Sequence, residues 1–221
     1  MIKISTNFEN FKNALKQILG ATANNKNIPI GNVLFKIFND KIELVATDGN
    51  RIRLKRLMLD EVINLDKPVK VLINADTLYN QIKNFKVTDK TFKDVISAFF
   101  ELDVDEKSFI FACPHIGLQK IDITMLDYNY PNYEQLIIGY NNVDDDFMAL
   151  MRNNTDTLKV SFTTKYLLDY LKNLDKDAII TFEIAHNLGM INLYNSSDTA
   201  LFEGIMPVKV KDVTTSQKWG Q

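Results

Sequence analysis

Polar and apolar residues alternate from the start of the chain, where Ile2 and Ile4 alternate with Lys3 and Ser5. The same extended pattern recurs over residues 3–7, 70–74 and 159–163, and each copy closes on Asn7, Asn74 or Thr163, side chains suited to cap a helix. Apolar residues then fall four and three apart: Phe11, Leu15 and Ile18; Leu78, Ile82 and Phe85; Leu167, Leu171 and Leu174. That spacing predicts one amphipathic helix per copy, over 8–19, 74–86 and 163–174. Strand-like sequence follows each helix, at 31–38, 41–47 and 51–57, then 95–103, 108–113 and 119–126, then 178–185, 190–194 and 201–210. The expected fold is α+β, built from three βαβββ units.

Punctuation divides these units. Residues 44–53 read strand, tight turn, strand, with Asp48 and Gly49 supplying the backbone freedom the turn needs. Pro131 interrupts regular structure, and 141–156 is polar, with Asp144, Asp145 and Asp146 in a row. The expected organisation is a two-unit domain over 1–133, a linker over 134–157, a third half-domain over 158–210 and a tail over 211–221.

A net charge of -2 argues against coating nucleic acid by bulk attraction. Charge is nevertheless unevenly placed. Each predicted helix carries +1, which leaves -5 for the rest of the chain. Lys16, Lys83 and Lys172 occupy equivalent positions one residue past the apolar stripe, about 100° around the helix. Together with Lys12, Lys86 and Lys165 they would form a basic lining able to attract phosphate without reading bases.

The lone Cys113 excludes an internal disulfide framework and a cysteine zinc site. No apolar run is long enough to cross a bilayer and the first strand leaves no room for a signal peptide, so a cytoplasmic protein without membrane partners is expected. His115 and His186 are seventy-one positions apart, without a nearby nucleophile motif, and glycine-rich phosphate loops are absent. Neither an enzyme nor a cofactor is expected.

Residues 45–51, Val-Ala-Thr-Asp-Gly-Asn-Arg, follow Asn27-Ile28-Pro29-Ile30 and Val33-Leu34-Phe35. In this order they resemble the middle domain of the bacterial β sliding clamp, the beta subunit of DNA polymerase III. Tyr130-Pro131-Asn132-Tyr133 looks like the motif closing that domain, while 158–168 and 205–210 resemble the end of the last domain. The resemblance implies a DNA-clamp fold in which helices line a ring around double-stranded DNA, sheets lie outside, and the clamp tethers a polymerase by topology. It also implies a pocket that takes short peptides of the replicative DNA polymerase and clamp loader. The matching positions are Ile30, Thr47, Gly49, Asn50, Arg51 and Ile52 on one wall and Met206, Pro207, Val208 and Lys209 on the other. Asn50 stands where the family usually has histidine and Lys209 where arginine is frequent.

Family chains hold three domains of two units each, whereas this chain matches without the first domain and the first half of the last. With about twelve units to a ring, three per chain imply a closed homotetramer, here expected to join by head-to-tail pairing of sheet edges. A trimer would require a further unit within 134–157. The alternative is a clamp-like adaptor or decoy that keeps the peptide pocket without closing a ring.

Overall fold

The structure, a computed structural model, describes residues 1–87, 95–134, 162–184, 190–195 and 198–207. Strand β1 (Ile2–Asn7) runs directly into helix α1 (Phe8–Leu19), where the Asn7 side chain accepts from the Asn10 amide at 2.9 Å. Strands β2 (Val33–Ile37), β3 (Lys41–Thr47) and β4 (Arg51–Met58) complete the first unit. The second repeats it: β6 (Val69–Ile73), α2 (Ala75–Ile82), β7 (Ser97–Asp103), β8 (Ser108–Cys113) and β9 (Leu118–Thr124), with Asn74 capping α2 through the Thr77 amide. A short strand β5 (Glu61–Ile63), which the apolar pattern did not predict, lies between them. The third unit comprises α3 (Thr164–Leu171), β10 (Ile180–Ile184), β11 (Ile191–Asn195) and β12 (Asp198–Ile205). Its predicted first strand lies outside the described residues except for Phe162 and Thr163, as do the linker beyond Glu134 and the tail.

Some boundaries differ from expectation for local reasons. Thr163 makes no side-chain cap; its backbone carbonyl instead accepts from the Tyr166 amide at 3.0 Å. Helix α2 ends at Ile82, and the Phe85 amide turns back to the Ile82 carbonyl, so Lys83 is a C-cap and Lys86 lies past the helix. Strand β12 ends before Pro207, which has no N–H with which to continue a ladder.

The two complete units exchange their first strands. Five strands form one sheet in the order β5-β1-β7-β8-β9, and seven form the other in the order β10-β11-β12-β4-β3-β2-β6. Thus β1 pairs antiparallel with β7 of the second unit, Ile4 opposite Phe100, and β6 pairs antiparallel with β2 of the first, Val71 opposite Phe35. The third unit joins through its last strand, β12 antiparallel to β4, so one sheet runs from the third unit across the first.

Exchange places both halves around one core. Phe11 of α1 stands 4.7 Å from Phe100 and 5.5 Å from Phe111, and Phe35 of the other sheet is 5.7 Å from Phe109. These rings are fully buried, and each contributes roughly 1.5–3 kcal/mol by leaving water. Helix α3 packs on the same side of the seven-stranded sheet, where Tyr170 meets Leu193, Leu201 and Ile205.

Candidate functional site

The corner between β3 and β4 is held by its own side chains. Asp48 Oδ1 accepts from the amides of Asn50 and Arg51 at 3.0 and 3.2 Å, and Thr47 Oγ1 donates to the Arg51 carbonyl at 2.6 Å. Gly49 carries the positive φ, +91°, with open space where a side chain would stand. The Asn50 carbonyl accepts from the Met206 amide at 2.8 Å. The turn and the segment leaving β12 are therefore in contact, although 156 positions separate them in the chain.

Alternation along β4 sends its residues to two different places. Ile52 and Leu54 face outward, where they join Leu34, Val45, Leu72, Tyr133, Met190 and Phe202 in an apolar cluster. Arg51 and Arg53 face the helices and are buried. Arg51 Nη1 meets Asp169 at 2.7 Å and Glu203 at 3.3 Å, and its guanidinium lies 4.7 Å from the Tyr166 ring centroid. Arg53 pairs with Glu203 on the facing strand and donates to the Gln17 carbonyl at 2.5 Å; Arg51 donates to the Gly20 carbonyl. Two cations thus sit at the negative end of α1 and between two acidic groups of the third unit. Burial works to lower the Arg51 pKa, but Glu203 and Asp169 outweigh it and the net shift is upward. Burial pushes the Glu203 carboxyl up, against the pull of Arg53 and Arg51.

The outer cluster opens on a cavity of about 550 Å³ lined by Leu34, Leu72, Leu126 and the segment 128–134. Tyr130 and Tyr133 pack edge to face across it, 6.2 Å apart, and the Tyr130 hydroxyl reaches the Val45 carbonyl at 3.4 Å. Burial raises the pKa of both phenols. Among the described residues the buried Tyr133 hydroxyl has no hydrogen-bond partner.

The residues named for a peptide pocket are therefore brought together only in part. Thr47, Gly49, Asn50 and Ile52 share the turn and its flanking strands, Met206 meets the turn at the Asn50 carbonyl, and Met206 is exposed. The Arg51 side chain is turned inward into the ion pairs. Ile30 occupies a 3-10 turn (Pro29–Gly31) whose carbonyl accepts from Ala23, on the side of α1. Val208 and Lys209 lie outside the described residues. Tyr133, Met190, Phe202 and Leu72 were not foreseen. The available signal was an apolar residue on the wrong phase of a strand, such as Leu34 beside Val33 and Phe35.

The lysines also separate. Lys16, Lys83, Lys86, Lys165 and Lys172 are exposed, whereas Lys12 is mostly buried, paired with Glu9 at 2.8 Å and donating to the Phe85 carbonyl at 2.8 Å. Lys12 therefore links α1 to the chain beyond α2. Helix α3 adjoins α1 on its other side, through Gln17 Nε2 and the Asn173 carbonyl at 3.2 Å.

Among the described residues no group of three or more His, Cys, Asp or Glu side chains is placed to hold a metal, and no helix is long and apolar enough to cross a membrane. Cys113 is buried at the end of β8, and burial raises its pKa to about 11. The native thiol is therefore expected to resist alkylation at pH 8 and react on unfolding, measured as rates with and without denaturant. A raised thiol pKa also means that the unfolded chain loses its proton first, so Cys113 lowers stability as pH rises from about 8.5, the ordinary thiol pKa, towards 11.

No family model matches the chain. Over 93% of its length it is 22% identical to the beta sliding clamp of Mycoplasma capricolum subsp. capricolum, of which it spans 64%. Among solved structures, the DNA polymerase sliding clamp of Bacillus subtilis superposes with a TM-score of 0.68 at 19% identity, covering 95% of this chain and 64% of that one. The Pseudomonas aeruginosa clamp with ligand gives 0.72 at 12% identity, covering 95% and 66%. The DNA polymerase III beta subunit of Thermotoga maritima gives 0.71 at 11% identity, covering 96% and 66%. The chain thus has the sliding-clamp fold and resembles a beta sliding clamp in sequence along nearly all its length, while spanning about two thirds of one.

Proposed function

We propose that this chain acts as a replication clamp, a binding protein rather than an enzyme, which closes into a homotetrameric ring around duplex DNA and holds a polymerase through a short peptide. The observation that carries this reading is the layering of the three units. Helices α3, α1 and α2 lie side by side on one face, and the sheets lie behind them. Five of the six lysines named for this face are exposed, on the helices or close to their ends. Such a face meets phosphates of any sequence.

The peptide would dock on the opposite side of the seven-stranded sheet. The apolar cluster, with the exposed Met206 at the turn and a cavity that shares Leu34, Leu72 and Tyr133 with the cluster, offers the apolar anchorage that extended peptides use. Met206→Ala with Pro207→Ala is expected to abolish the stimulation of a cognate polymerase on a primed circular template, while leaving the native mass unchanged. Stimulation that survives places peptide binding elsewhere, and a ring that falls apart makes the segment after β12 an assembly element.

A further inference from the structure

The two ends of the chain's row of units are different in kind. In space the units run third, first, second. The first and second meet by exchanging first strands across a shared core, and the third and first meet edge to edge through β12 and β4. At the far end of the second unit lies the outer edge of β9, the counterpart of β4 and β12 in the repeat, with no strand of the described residues on it. At the far end of the third unit lies β10, the counterpart of β2 and β7, which elsewhere receive an exchanged strand.

The third unit bears the marks of a missing other half. Phe35, Phe100 and Phe182 occupy the same position of the repeat, opposite Leu44, Phe111 and Leu193 respectively. The first two are 0% and 1% exposed, and Phe182 is 47% exposed. Leu168, at the helical position held by Lys12 and Tyr79, is 52% exposed, and Ile179 before β10 is 66% exposed. The stripe Leu167, Leu171 and Leu174 is only half-buried where Phe11, Leu15 and Ile18 are fully buried.

We infer that this face is covered by the same face of a second copy, so that two third units complete one domain about a twofold axis, and that the β9 edges likewise meet their own kind. An unpaired half needs another half of the strand-exchanging type. Among the described residues the first and second units satisfy each other, and the third unit of another chain supplies what the third unit lacks. Both contacts within the chain are antiparallel, so neighbouring units alternate in direction. A chain of three units then presents unlike ends, and head-to-tail joining would put an exchange face against an edge strand. Closed rings built this way contain an even number of chains and have dihedral rather than cyclic symmetry. The head-to-tail contact and the trimer drop out. The count of four rests on the ring reading proposed above; the pairing of like ends does not.

Native mass spectrometry of the full chain tests this with Leu168→Glu and Phe182→Glu combined. The wild type is expected at four times the 25.4 kDa chain and the variant at twice it, because only one of two kinds of contact is lost. A variant at the chain mass means a single kind of contact, and a variant still tetrameric means that the face is covered within its own chain; either overturns the inference. So does a wild-type monomer, dimer or trimer. Leu168→Cys on a Cys113→Ala background avoids charge in the interface. A bismaleimide should join Leu168→Cys copies to each other if like faces meet, and absence of that product contradicts the twofold pairing. Failure of the clamp reading alone would leave the Leu168→Cys cross-link intact and remove retention on DNA.

Discussion

Lys16→Glu combined with Lys83→Glu and Lys172→Glu is expected to reduce retention on closed circular DNA by on the order of tenfold or more at near-physiological salt. All three side chains are exposed and project from adjoining helices or their ends. Each substitution changes the charge by two, and every chain of a ring carries all three, so a face that attracts phosphate becomes one that repels it. Peptide binding, on the other side of the seven-stranded sheet, is expected to stay within twofold of wild type. The two readouts are a clamp-retention assay across a salt series and fluorescence anisotropy of a labelled clamp-binding peptide. Parallel loss of both would show that the two faces are not separable. Lys12→Glu should behave differently, losing stability before DNA retention, because Lys12 bridges Glu9 and the Phe85 carbonyl.

The second large effect is expected inside the protein. Glu203→Leu removes the carboxylate that faces Arg53 across β12 and β4 and leaves two buried guanidinium groups served by Asp169, by Asp48 at Arg51, and by backbone carbonyls. Breaking a buried pair from one side costs about 3–5 kcal/mol, most of it from the charge left behind. Urea unfolding should show that loss as a lower midpoint, and the third unit should separate from the first. Replacing both partners, Glu203→Leu with Arg53→Met, is expected to recover a large part of it, since no uncompensated charge then remains at that pair. A single variant as stable as wild type would mean that water reaches the junction and that burial contributes little.

The helical stripes and the strand runs were legible in the sequence because their periods, 3.6 and 2, are set by backbone geometry alone. Phe11, Leu15 and Ile18 are buried where the spacing put them. Strand exchange was not legible. Ile4 on β1 and Val71 on β6 alternate with polar neighbours in the same way whichever sheet they join, and the choice is made by the cores they share. On β4 the usual sense of alternation fails. Sequence pattern treats arginines between Ile52 and Leu54 as the solvent side, yet both faces of this strand are covered, one by helices and acidic partners and the other by Tyr130 and Tyr133. The Asp48-Gly49 corner was legible as a turn. The apolar cluster beside it was not, because Met190 just before β11, Phe202 on β12 and Leu72 on β6 are brought together only by strand register.

Retention on DNA that is circular, and its loss when the same DNA is cut, tests the clamp reading most directly. The chain, loaded on a nicked plasmid and passed over a sizing column, should travel with the plasmid and be released after a single restriction cut. Equal retention on circular and linear plasmid would mean that it binds the duplex surface without enclosing it, and no retention on either would contradict a DNA clamp altogether.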